Sequence, residues 1–180
     1  MIKNAILTHA EYYPTTHWDE RPDPDDISLL VIHNISLPPN EFGGDYIKYF
    51  FTGRLDPTLH PYFQKIHQMR VSAHCLIKRG GEVIQFVPFD KRAWHAGISS
   101  YQGTTRCNDF SIGIEMEGAD HIPYTSLQYN SLQLVTKSIM STYSDISLGR
   151  IVGHNDIAPG RKTDPGFSFD WAKYRQALNK

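Results

Sequence analysis

What the chain has little of narrows its function first. It carries only two cysteines in 180 residues, Cys75 and Cys107, far apart and in no CxxC pair. That count argues against a thiolate zinc site and against a disulfide framework, and two reduced thiols fit a reducing compartment. No stretch comes near the roughly 20 apolar residues of a membrane span. The N-terminal "MIKNAILTHAEYYP" offers only Ala5-Ile6-Leu7 as an apolar run, short of the roughly 7–15 residues of a secretory core. Charge of either sign is not in excess either: 18 Lys and Arg stand against 19 Asp and Glu, for a formal net charge of −1. Nucleic acid and anionic membrane are therefore not expected partners. Repeats, low-complexity segments and linkers are also missing. The expectation is a cytoplasmic monomer with a single domain over 1–180, long enough to bury roughly 70% of its unfolded surface without staples.

What is present is a mixture of strand and helix patterns. The arm 1–27, rich in Pro and acids, reads as an irregular wrap over the domain. "SLLVIHNIS" carries the apolar run Leu29–Ile32 of a buried strand, with His33 just past it. "GGDYIKYFFTG" reads as a short helix with Asp45 as N-cap and Gly53 beyond its end, and Pro57 and Pro61 allow at most a broken or short helix after it. Gly80-Gly81 supply the turn of a hairpin with strands near 73–78 and 82–87. In "DFSIGIEMEG", Phe110, Ile112, Ile114 and Met116 face one way, and Ser111, Gly113, Glu115 and Glu117 the other. Thr125 and Gln128 form a capping-box pattern ahead of Leu132, Val135, Ile139 and Tyr143 at helical spacing. "LGRIVGH" reads as a strand ending in His154, and a last helix covers about Trp171–Leu178. The sum is an α/β (α+β) fold, a mixed central sheet packed with helices.

Nine histidines are the compositional feature that stands out. His33 and His154 share a context: each follows a short apolar strand and precedes Asn. Ligands of open α/β sheets gather at the carboxyl ends of strands, so two strand-end histidines and a loop carboxylate could hold a metal with one position open. Spacing alone does not establish this. Asp164 lies in "TDPG", which is turn chemistry in its own right, and Lys162 alone is a solvated charge. Asp156 competes with Asp164, because His154-x-Asp156 is also half of a two-histidine, one-carboxylate iron site; no histidine follows His154 to complete the usual order. Glu115 sits in a strand that otherwise looks buried, where a carboxylate needs a partner. His74 and Cys75 are not a base and nucleophile pair, since neighbouring strand residues point to opposite faces.

Five segments, "LLVIHNISLPP", "VSAHCLI", "VPFDKRAWHAG", "RCNDFSIGIEMEG" and "GHNDIAPGRKTDPG", together resemble the family 2 N-acetylmuramoyl-L-alanine amidases. These are zinc enzymes, among them the anhydro-muropeptide amidases of cell-wall recycling, related to phage amidases and peptidoglycan recognition proteins. The resemblance runs from about Leu29 to Trp171. It implies an amidase-like or peptidoglycan-recognition-like fold and one Zn²⁺ per chain. His33, His154 and Asp164 would be its ligands, Glu115 the acid/base and Lys162 the stabiliser of the transition state. The implied substrate is a small 1,6-anhydro-muropeptide, cut between the lactyl group and L-alanine. Arg70 and Arg106 are the expected partners of its carboxylates, and Asn34, His74 and Trp94 the expected pocket walls. A binding module of the same fold is the rival reading, and so is a lytic enzyme acting on polymeric wall.

Overall fold

Six strands form one sheet in the computed structural model, which describes residues 1–179. Lys180, the last residue of the expected domain, lies outside the described residues. In chain order the strands are Glu11–Tyr12 (β1), Leu29–Ile35 (β2), Cys75–Ile77 (β3), Val83–Gln85 (β4), Ser111–Glu117 (β5) and Ile151–Gly153 (β6). They lie in the order β6-β2-β5-β3-β4-β1. The four strands from β6 to β3 run parallel, β3 and β4 form the antiparallel hairpin expected around Gly80-Gly81, and β1 adds parallel to β4. Among the described residues the α-helices are Tyr46–Phe51 (α1), Pro61–Ile66 (α2), Ser126–Thr142 (α3), His154–Ile157 (α4) and Trp171–Leu178 (α5).

The two central strands are apolar because both of their faces are covered, as parallel strands require. Leu30 and Ile32 of β2 and Ile112, Ile114 and Met116 of β5 pack against Leu132, Val135 and Ile139 of α3 and Tyr174 of α5. Leu29 and Val31 face the other way, into a smaller cluster with Ala96, Cys107, Phe110, Val152 and Ile157. A third cluster joins α1 and α2 to the hairpin through Phe50, Phe51, Phe63, Leu76 and Phe86. Helix α3 starts at the expected capping box. The Thr125 hydroxyl accepts from the Gln128 N–H at 3.1 Å, and the Gln128 side chain accepts from the Thr125 N–H at 3.1 Å.

Two expectations are corrected. The arm 1–27 is not simply irregular. Glu11–Tyr12 pairs with Ile84–Gln85 and closes an edge that β4 would otherwise leave open. Farther along, the buried Arg21 guanidinium donates to the carbonyls of Phe89 (3.1 Å), Asp109 (3.0 Å) and Ser111 (2.9 Å), which ties the arm to the sheet. His154 does not end a strand; it is the first residue of α4, immediately after β6.

Candidate metal centre

The carboxyl ends of β2, β5 and β6 open onto one cavity of about 350 Å³. One end of it is apolar, formed by Phe50 and Phe51 of α1 and by Tyr62, Ile66 and Met69 of α2 and the turn after it. The other end holds His33, Glu115, His154, Lys162 and Asp164. Asn34 and Trp94 also line it.

His33, His154 and Asp164 each present one ligand atom to the same point. The Nδ1 atoms of the two rings are 2.9 Å apart, and Asp164 Oδ2 lies 3.2 Å from the first and 3.0 Å from the second. Ligands at zinc distances of about 2.0–2.1 Å stand roughly 3.3 Å from one another in a tetrahedron, so the trio is close to the size a metal needs. The chemistry of the donors fits as well. His154 Nε2 lies 3.0 Å from the Ala96 carbonyl, which can only accept, so the proton of a neutral ring is on Nε2 and Nδ1 carries a lone pair. That lone pair faces a carboxylate and a second imidazole nitrogen. Burial lowers His33 to a pKa of about 4, which keeps its ring neutral. Two neutral imidazoles and one carboxylate are the protonation states that zinc binding requires.

The loop after α4 folds back to make this possible. The Lys162 N–H donates to the Ala158 carbonyl at 3.0 Å, and the Asn155 N–H donates to the Asp164 carbonyl at 3.0 Å, so Lys162 and Asp164 return to the cavity together. Gly166, at a φ of +80°, lets the loop pass against Asp120, where a Cβ would come within 2.1 Å of the Asp120 Cα. Asp156 is occupied elsewhere: its Oδ2 accepts from the Gly153 N–H at 2.7 Å and caps α4. Glu115 is 9% exposed, and its Oε2 has no hydrogen-bond partner. Burial, then the Asp164 charge, push its pKa well above the ordinary carboxylate range, with Lys162 opposing.

The remaining expected contacts divide. Trp94 is held as a platform. Its ring stacks on His17 at a centroid distance of 5.9 Å, its Nε1 donates to Asp19 at 3.1 Å, and the Arg70 guanidinium lies 5.6 Å from its centroid. Arg70 is exposed beside the cavity rather than lining it. Arg106 is also exposed and pairs with Asp109 at 3.1 Å. His74 is not a pocket wall, which corrects the expectation. It is fully buried, accepts from the Gly113 N–H at 3.0 Å and donates to the Lys91 carbonyl at 3.0 Å. The sequence reading missed His95, which touches His33, and the apolar wall from α1 and α2. No periodic pattern marks either, because both arise from contacts between distant segments.

Comparison with known proteins shows the family and the fold. A sequence model of the N-acetylmuramoyl-L-alanine amidase family matches residues 23–167. The chain is 56% identical over 180 residues to the 1,6-anhydro-N-acetylmuramyl-L-alanine amidase AmpD of Escherichia coli K12, covering 100% of this chain and 98% of that protein. A crystal structure of a selenomethionine AmpD derivative superposes with a TM-score of 0.96 at 57% identity, over 99% of each chain. The E. coli amidase AmiD, in complex with its substrate anhydro-N-acetylmuramic acid-L-Ala-D-γ-Glu-L-Lys, superposes with a TM-score of 0.62 at 31% identity, over 84% of this chain and 57% of that one.

Proposed function

Since the chain belongs to the N-acetylmuramoyl-L-alanine amidase family, we propose that it is a zinc amidase acting on small anhydro-muropeptides. The bond cleaved is the amide between the lactyl group of 1,6-anhydro-N-acetylmuramic acid and L-alanine, a reaction of peptidoglycan recycling. The observation that carries this reading is the convergence of His33, His154 and Asp164 beside the unpartnered Glu115 carboxylate, in one open cavity. The substrate class is supported by the E. coli relative and by the AmiD complex. Two buried free thiols, Cys75 and Cys107, suit a reducing cytoplasm.

His33 Nδ1, His154 Nδ1 and one Asp164 oxygen would hold the ion. When bound there, zinc supplies Lewis acidity to the amide carbonyl and makes a water acidic enough to react at neutral pH. Glu115 takes the proton of the attacking water and returns it to the departing alanine nitrogen, a role its raised pKa suits. Lys162 brings a positive charge to the cavity, to stabilise the carbonyl oxygen as it becomes negative. Trp94 offers a flat apolar face to the substrate, and Asn34, oriented by its 2.8 Å bond to Asp120, offers an amide. Arg70, exposed beside the cavity, and Arg106 would meet the stem-peptide carboxylates.

The test is incubation of the zinc-loaded protein with an anhydro-muropeptide, followed by mass spectrometry of the products. Release of free peptide with an L-Ala amino terminus, abolished by EDTA and restored by zinc, is expected. Binding without EDTA-sensitive release would make the protein a binding module. Rapid solubilisation of intact sacculi would make it a lytic enzyme instead.

A further inference from the structure

The His33 ring has two nitrogens, and the metal reading needs the lone pair on Nδ1. We infer that His95 is the positioning residue that puts it there. With Ser111 and the Cys107 carbonyl, His95 forms a one-directional hydrogen-bond chain that keeps the His33 proton on Nε2. This rests on the proposal that the trio holds a zinc ion.

The direction of the chain is set at its far end. Ser111 Oγ lies 2.5 Å from the Cys107 carbonyl. A carbonyl can only accept, so the Ser111 proton is committed to it. Ser111 Oγ then has only lone pairs to offer His95 Nε2, 3.2 Å away, so the His95 proton sits on Nε2. His95 Nδ1 is left as an acceptor 2.9 Å from His33 Nε2, which draws the His33 proton to Nε2 against the pull of Asp164 Oδ2, 3.2 Å from His33 Nδ1. The result is His33 Nε2–H to His95 Nδ1, His95 Nε2–H to Ser111 Oγ, and Ser111 O–H to Cys107 O, with the His33 Nδ1 lone pair facing His154 and Asp164. Metal-bound histidines generally give their second N–H to such a partner, and its loss weakens metal affinity.

The surroundings hold His95 for this task. The backbone N–H groups of His95 and Ala96 both donate to Asn108 Oδ1, at 3.1 and 2.8 Å. Ser111 and Gly113 occupy alternate positions on the face of β5 under the ring, and a Cβ at Gly113 would lie 2.4 Å from His95 Cγ. The neighbouring Ala96 carbonyl does the equivalent work for His154 at 3.0 Å and is itself bonded by Arg161 at 2.7 Å. The two supports differ in kind. A carbonyl is an acceptor unconditionally; His95 Nδ1 is one only because Ser111 is oriented as it is.

That difference defines the experiment. Zinc affinity, by competition with a chelator, and the His33 tautomer in the metal-free protein, by nitrogen NMR of the imidazoles, are measured for wild type, His95→Asn, His95→Leu and Ser111→Ala. His95→Asn keeps an oxygen acceptor near the Nδ1 position and should retain wild-type affinity and the Nε2–H tautomer. His95→Leu should weaken zinc by about 10–100-fold and leave His33 in mixed tautomers, with Ser111→Ala between the two. A folded His95→Leu with wild-type affinity and an unchanged His33 tautomer overturns the inference. If His95→Leu does not fold, the same two unchanged readouts in Ser111→Ala overturn it. A wild-type protein that takes up no zinc refutes the metal reading instead, while the tautomer of the metal-free protein still decides whether His95 positions His33.

Discussion

His33 and Glu115 are direct partners in the parallel pairing of β2 with β5. Paired residues on adjacent strands point to the same face, with the strands about 4.8 Å apart. The backbone ladder, rather than any side-chain bond, therefore sets a metal ligand and a carboxylate side by side. Glu117 is paired with Ile35, one pleat farther along the same face. It has a different employment: its two oxygens accept from the Gly43 N–H at 2.7 Å and the Arg79 N–H at 2.8 Å.

The two glutamates should separate cleanly on substitution. Glu115→Ala should lose at least about 10²-fold in turnover while keeping its zinc and its stability. Glu117→Ala leaves two N–H donors without their acceptor and should cost about 1–3 kcal/mol of stability, with turnover of the folded protein little changed. Steady-state kinetics and urea denaturation of both variants check this; a larger loss of turnover in Glu117→Ala would exchange their roles.

Lys162→Ala should lower kcat by about 10²–10³-fold, as loss of an oxyanion donor does, with little change in KM. A contact made in the transition state has that signature. Initial rates over a range of substrate concentration decide the point, and a rise confined to KM would make Lys162 a contact for a substrate carboxylate.

Trp94→Ala should act on the other parameter. Its ring is fixed by His17 and Asp19 rather than by the metal ligands. KM should rise on the order of tenfold, equivalent to about 1.4 kcal/mol of lost binding, while kcat is largely kept. A fall in kcat at constant KM would remove Trp94 from the substrate platform.

Arg21→Met tests the arm. The substitution leaves the carbonyls of Phe89, Asp109 and Ser111 without their guanidinium donor. Each unsatisfied buried acceptor costs about 1–3 kcal/mol, so the loss should reach about 3 kcal/mol or more in urea unfolding. A loss below about 1 kcal/mol would mean that water replaces the clasp.

Local patterns were legible in the sequence where a single segment decides its own structure. The capping box at Thr125 and Gln128, the helix Trp171–Leu178 and the Gly80-Gly81 hairpin all depend on near neighbours and match the structure. The alternation in Ser111–Glu117 also identified the face that carries Glu115. What the sequence alone left open was the choice between Asp156 and Asp164, because the return of the loop depends on Gly166 meeting Asp120 and on Asn155 bonding the Asp164 carbonyl. The family resemblance pointed to Asp164, whose Oδ2 lies 3.2 and 3.0 Å from the Nδ1 atoms of His33 and His154. His74 was misplaced for a related reason. Its burial follows from β3 lying beside β5, where the Gly113 N–H meets its ring, and strand order is not written in either segment. The edge strand at Glu11–Tyr12 is two residues long and has no period to read.

Zinc content of two purified aspartate variants decides whether His33, His154 and Asp164 form the metal site. Asp164 supplies an oxygen to the trio, whereas Asp156 caps α4 through the Gly153 N–H. Asp164→Ala should hold little zinc after dialysis and show no amidase turnover. Asp156→Ala should hold close to one zinc per chain, with at most a modest stability loss of about 1 kcal/mol from the missing cap. Zinc kept by Asp164→Ala and lost by Asp156→Ala would contradict the account and move the metal to the His154-x-Asp156 pair.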